Sequence, residues 1–167
     1  MTEPFRHVNH SNDDFETLAP GRPGPSLKAR AVGYLSRREH SRHELSRKLA
    51  PHASGPDELE QVLNDLEREN WLSDERFVQS LINRRASRHG VMRIMQELRQ
   101  HGIAEQHIAR VEDQLRESEA DRAREVWEKR FGTPADNAKD YARQYRFMMS
   151  RGFSAESVRR LLGDLPT

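Results

Sequence analysis

The 167-residue sequence contains no cysteine, which excludes disulfides and thiolate metal sites. It has no apolar run near the roughly 18 residues that cross a bilayer, so no membrane contact is expected. Met1 to Pro25 carries Glu3, Asp13, Asp14 and Glu16 and lacks the apolar segment of a secretory signal, so the chain is expected in the cytoplasm. No useful stretch alternates apolar and polar residues with period two, and no sheet is expected. Also missing are a Gly-x-x-x-x-Gly-Lys-Ser/Thr loop, a Gly-x-Ser-x-Gly elbow and a Rossmann glycine run. Without a phosphate cradle or an activated nucleophile, the chain reads as a non-enzyme that needs no cofactor. Hydrophobic residues make up 34% and charged residues 33%, which is little material for one thick core.

Among the eight histidines, His40 and His43 stand three apart beside Glu39 and Glu44. Neither a His-Glu-x-x-His pattern nor its inverted form is present, and no third ligand follows, so these are read as polar surface residues and not as a metal site.

What the chain does have is repetition. Leu98-x-x-x-Gly102-Ile103-Ala104-x-x-x-Ile108 aligns with Met148-x-x-x-Gly152-Phe153-Ser154-x-x-x-Val158. Each segment is an apolar residue, a helical turn, a glycine suited to a left-handed cap, a hydrophobe, a small N-cap and a new helix. A degraded copy lies upstream, where Leu45 and Leu49 match Ile94 and Leu98, and Val62 matches Ile108. A period of 46 to 50 residues predicts an all-α, elongated and curved array of three tandem three-helix repeats.

The expected units are 26–72, 73–118 and 119–167, preceded by a disordered tail over 1–25 that ends in a proline-glycine cluster. Ser41-x-x-Glu44 reads as a capping box, Ser54 with Pro56 as the start of a third helix, and Ser73-Asp74-Glu75 as the start of a fourth. Trp71, Phe77, Trp127, Phe131, Phe147 and Phe153 read as packing residues, because an array this poor in hydrophobes needs its aromatics inside.

The formal net charge of +1 hides an alternation. Residues 26–55 hold seven bases against two acids, 56–75 one against eight, and 76–101 six against one. The next blocks, 102–121 and 122–151, hold two against six and eight against four. Repeats stacked in one orientation would sort these blocks into a basic stripe and an acidic one.

The candidate binding residues are Arg37, Arg38 and Arg42 in the first repeat, Arg84, Arg85, Arg88 and Arg93 in the second, and Arg143, Arg146 and Arg151 in the third. Arginine outnumbers lysine 24 to 4, which favours planar, bidentate recognition of phosphate or carboxylate. The other reading of the same arginines is pairing with acidic third helices of neighbouring repeats.

Three ordered segments carry a family resemblance. Leu35 to Leu49 is similar to the first-repeat signature of the bacterial recombination regulators of the RecX family. Trp71-Leu72-Ser73-Asp74-Glu75-Arg76-Phe77, with Arg93-Ile94 and Glu97-Leu98, resembles the second, and Arg130-Phe131-Gly132, Tyr145-Arg146-Phe147 and Arg151-Gly152-Phe153 the third. The resemblance runs from about Ser26 to the C-terminus. It implies tandem three-helix repeats and a monomer that binds the RecA recombinase filament on DNA along its groove. It further implies a role in homologous recombination, DNA repair and the SOS response, with RecA activity usually lowered. A helical protein that competes directly for single-stranded DNA is the alternative. In one place the chain departs from the family: it reads Arg88-His89-Gly90-Val91 where Gly-Tyr-Gly-Pro is common.

Overall fold

The computed structural model describes residues 24–166, so the tail expected over 1–25 lies almost wholly outside the described residues. Nine α-helices and no strand occur among them. They are α1 (Leu27–Leu35), α2 (Arg42–Leu49), α3 (Pro56–Arg68), α4 (Asp74–Arg85), α5 (Val91–Gln100), α6 (Glu105–Glu117), α7 (Glu119–Arg130), α8 (Ala138–Ser150) and α9 (Ala155–Leu162), with a single 3-10 turn at Ala50–His52.

Local chemistry sets most of these boundaries. Ser26, Ser41, Ser73, Asn137 and Ser154 each accept the amide three residues on, which satisfies one of the helix's orphan donors. Gly102 and Gly152 follow α5 and α8 with φ of 71° and 83°, the left-handed caps that the repeat predicts.

Each group of three helices encloses its own core. Leu27, Ala31, Leu45, Leu49, Leu63, Leu66 and Leu72 form the first cluster. The second is built on Phe77, Leu81, Ile94, Leu98 and Ile108, and the smaller third on Ala123, Val126, Met148, Phe153 and Val158. Burying one leucine such as Leu45 stabilises the fold by about 2 kcal/mol, so each small core depends on a handful of side chains. The units follow one another along the chain, with hydrogen bonds joining the first to the second and the second to the third.

Four local expectations are corrected. His40, read as a surface residue, is only 3% exposed, with its Nδ1 3.0 Å from the Arg38 carbonyl oxygen. Gly55, not Ser54, is the N-cap of α3, and the Ser54 amide instead donates to the Glu58 carboxylate at 2.7 Å. The capping box at Ser41 is half made: Ser41 Oγ accepts the Glu44 amide at 3.1 Å, but the Glu44 carboxylate turns to the Arg38 guanidinium. Trp71 does not pack inside. It is 45% exposed at the α3–α4 turn, while Phe77 and Phe153 are buried and Trp127 is half-buried with its Nε1 donating to Gln144 Oε1 at 2.7 Å.

Candidate functional site

The second helix of each repeat carries the array from one junction to the next. The N-terminus of α2 lies against the C-terminus of α5, where Ser41 Oγ donates to the His101 carbonyl at 2.8 Å. In the same way the N-terminus of α5 lies against the C-terminus of α8, where the Gly90 amide donates to the Arg151 carbonyl at 2.9 Å and the Met92 amide to the Gly152 carbonyl at 3.0 Å. So α2, α5 and α8 run in series through all three repeats.

An acid from the next repeat fastens each junction. Asp74, the first residue of α4, accepts the first amide of α2, from Arg42, at 2.8 Å. Glu119, the first residue of α7, accepts the first amide of α5, from Val91, at 3.0 Å. Glu119 is only 3% exposed and also takes the Ser154 hydroxyl at 2.6 Å, the Ser157 hydroxyl at 3.0 Å and the Ser154 amide at 3.3 Å. Burial alone would raise its pKa, but the Ser154 and Val91 bonds outweigh burial and hold the carboxyl below its ordinary value.

Arg122 completes the second junction. Its guanidinium donates to the carbonyls of His89 at 2.7 Å, Leu115 at 2.8 Å and Ala86 at 3.2 Å, so it grips the α4–α5 loop from α7. Burial lowers its pKa. Neither Glu119 nor Arg122 was singled out from the sequence, because both sit in ordinary runs of charge.

Along this series of helices bases outnumber acids in three hollows, with Glu44 in the first and Glu97 in the second. His43, Arg47 and Lys48 line a hollow of about 460 Å³ with Gln100 and His101. Gln100 and His101 also border a groove of about 290 Å³ that continues past Arg93 and His89 to Arg85. Burial, followed by the charge of Arg151, pushes the His89 imidazole below its ordinary pKa, and its Nδ1 is buried with no hydrogen-bond partner. Beyond it a third hollow, of about 330 Å³, holds Arg88, Lys129, Arg130 and Arg151. Together the three hollows make up a basic band that draws residues from every repeat.

The candidate arginines fall into two groups. Arg38 forks onto Glu44, Arg85 onto Glu97 at 2.7 and 2.9 Å, and Arg42 reaches Glu60 at 2.5 Å, Glu67 at 2.7 Å and Asn64 at 2.9 Å. The acids that hold Arg42 belong to α3 of its own repeat, not to a neighbour's third helix. Arg143 contacts Asp140 at 3.3 Å from the same helix. Among the described residues, no carboxylate lies within the 4.0 Å ion-pair distance of Arg37, Arg84, Arg88, Arg93, Arg146 or Arg151. Of these, Arg88, Arg93 and Arg151 lie in the band. Arg47, Lys48, Lys129 and Arg130 join it, a grouping that only the fold reveals.

Three family models cover this chain in order. Those described as the first, second and third three-helix domains of RecX match residues 28–66, 73–111 and 117–162. This chain belongs to the RecX family. "Regulatory protein RecX" of Ralstonia nicotianae is 56% identical over 137 residues, covering 82% of this chain and 86% of the relative. The protein of the same name from Leptothrix cholodnii is 52% identical over 145 residues, covering 87% and 92%, and that of Neisseria gonorrhoeae 43% over 141 residues, covering 84% and 92%. The crystal structure of RecX from Lactobacillus salivarius shares the fold with a TM-score of 0.66, at 19% identity, over 81% of this chain and 91% of that one. A second RecX crystal structure gives 0.64 at 21% identity, over 81% and 72%.

At Arg88-His89-Gly90-Val91, where the chain departs from the family resemblance, α5 opens at Gly90. Gly90 is an extended N-cap with φ of −80° and ψ of 173°. Val91 supplies an amide hydrogen that a proline would lack, and Glu119 accepts it.

Proposed function

We propose that this chain is a monomeric, non-enzymatic regulator in the cytoplasm that binds the RecA–DNA filament along its groove and lowers its ATPase and strand-exchange activity. The reading is supported by membership of a family whose relatives are named regulatory proteins, and by the RecA partner that the family resemblance implies. The observation that carries it is the basic band along α2, α5 and α8, whose length suits an extended, anionic target better than a compact one.

Binding across several protomers lowers activity by stabilising the filament state that hydrolyses or exchanges poorly. Such a shift in population needs no chemistry from the regulator.

The test compares affinity for bare single-stranded DNA with affinity for the same DNA coated by RecA and a nonhydrolysable nucleotide. Tighter binding to the coated strand is expected. Equal binding overturns the filament reading in favour of direct competition for the strand.

A further inference from the structure

The hollow between the second and third repeats differs from the rest of the band in its company. Seven residues line it, none of them acidic. Arg88 comes from the loop after α4, Lys129 and Arg130 from the last turn of α7, and Arg151 from the C-cap of α8. Each of the last three sits at the negative end of a helix, which eases the repulsion of gathering cations in one place. Lys129 has only Glu125 at 4.0 Å along its own helix, and no carboxylate among the described residues reaches the other three within the ion-pair distance.

The arginines are held by rings instead. The Arg130 guanidinium lies over Phe131 and Phe147 with its centre 5.6 and 5.7 Å from the ring centroids, and Arg151 lies 5.0 Å over Phe147. Attraction to a ring face uses none of a guanidinium's hydrogen-bonding capacity for carboxylates, which leaves its bidentate fork open. At several other arginines such forks are consumed: Arg85 by Glu97, Arg99 by Glu105, Arg116 by Glu112. Here the arginines and Lys129 border one space together with the apolar Val126 and Phe147.

We propose that this hollow is a phosphodiester-binding site for single-stranded nucleic acid. Clustered planar forks match phosphate oxygens, and the apolar lining suits the sugar and base between successive phosphates. The site straddles a repeat junction, so a strand seated there touches both repeats. The proposal rests on the filament reading for where a strand is met, and it assigns the nucleic acid of that filament to the second junction.

The test uses the full chain, a labelled single-stranded oligonucleotide and anisotropy titrations between 50 and 200 mM salt. Arg88→Gln, Lys129→Gln and Arg130→Gln are combined, all at exposed positions, with helicity checked by circular dichroism. A control combines Arg110→Gln, Arg124→Gln and Arg159→Gln, which remove the same charge from exposed positions outside the hollow. At roughly 0.7 per phosphate contact, the hollow variant should flatten the logarithmic salt slope by about 2 and weaken binding at 0.1 M salt by about 100-fold, with the control changing far less. Equal slopes in the two variants, or no binding of the bare oligonucleotide by the unaltered chain, overturn the site. Loss of filament binding in the hollow variant with unchanged oligonucleotide binding also overturns it, and assigns the hollow to protein while leaving the filament reading intact.

Discussion

Between the second and third repeats backbone meets backbone, whereas between the first and second the same place is filled by side chains. A methyl group on Gly90 would stand 2.3 Å from the Gly152 carbonyl oxygen and from the Phe153 backbone. At the first junction Ser41 occupies the corresponding position and makes its bond through a hydroxyl, and the nearest neighbour of Gly102 is the exposed His43 side chain. The acids differ in the same sense: Asp74 is half-buried and takes one amide, while the buried Glu119 holds α5 and α9 together. One plan of contact thus serves as a backbone-to-backbone joint in one place and a joint mediated by side chains in the other. Four substitutions measure how different they are.

The largest loss is expected from Gly90→Ala. Rigid backbone cannot move aside as a side chain tip does, so stability should fall by about 3 kcal/mol or the third repeat should separate from the second. Urea denaturation with tryptophan fluorescence reads both outcomes, since Trp127 reports the third repeat and Trp71 the first. A midpoint unchanged from wild type would mean the two junctions are equally forgiving.

Glu119→Gln comes next, at about 2 kcal/mol, because the amide offers one accepting oxygen to a site that holds four donors. Its pH dependence has a definite sign. The folded carboxyl lies below its ordinary value of 4.5, so its contribution is complete above about that pH and fades as pH falls through the depressed folded value. Melts at pH 7 should therefore separate wild type from variant more widely than melts below pH 4. A gap that widens in acid would show that Glu119 does not act through its charge.

Gly102→Ala should cost about 1 to 2 kcal/mol, from the positive φ and from a 2.7 Å approach to His43 Cβ, which no rotation of that side chain relieves. The smallest effect is expected from Asp74→Ala, about 1 kcal/mol, as the Arg42 amide near the surface can turn to water. Chemical denaturation of the two variants side by side checks the order. A larger loss for Asp74→Ala than for Glu119→Gln would invert the difference between the junctions.

Much of the architecture could be read from residue spacing, because glycine caps, serine caps and 3.6-residue periodicity are local properties. Gly102, Gly152, Ser41, Ser73 and Ser154 all do what their neighbours in sequence predict. Asn70 was missed: it takes the left-handed conformation with φ of 61° after α3, a role asparagine plays without the signature of a glycine. Pairing was beyond reach for a different reason. Whether Arg42 faces water or α3 depends on how two helices separated by a turn cross, and nothing in the spacing of either one fixes that. Glu119 left a faint trace, since Asp74 also opens the first helix of its repeat with an acid, but only the juxtaposed helix ends give the coincidence a meaning.

Because the acids that hold the first amides of α2 and α5 belong to the following repeat, neither of the first two repeats is complete when its own last residue has been made. On a ribosome, α5 emerges with its first amide lacking an acceptor until Glu119 follows, and Gly90 waits for Arg151 to Phe153. At roughly 5 to 20 residues per second, that interval lasts several seconds. The nascent chain is therefore zipped from the N-terminus, each newly synthesised unit locking the one before it, and a prematurely terminated product would carry an open end.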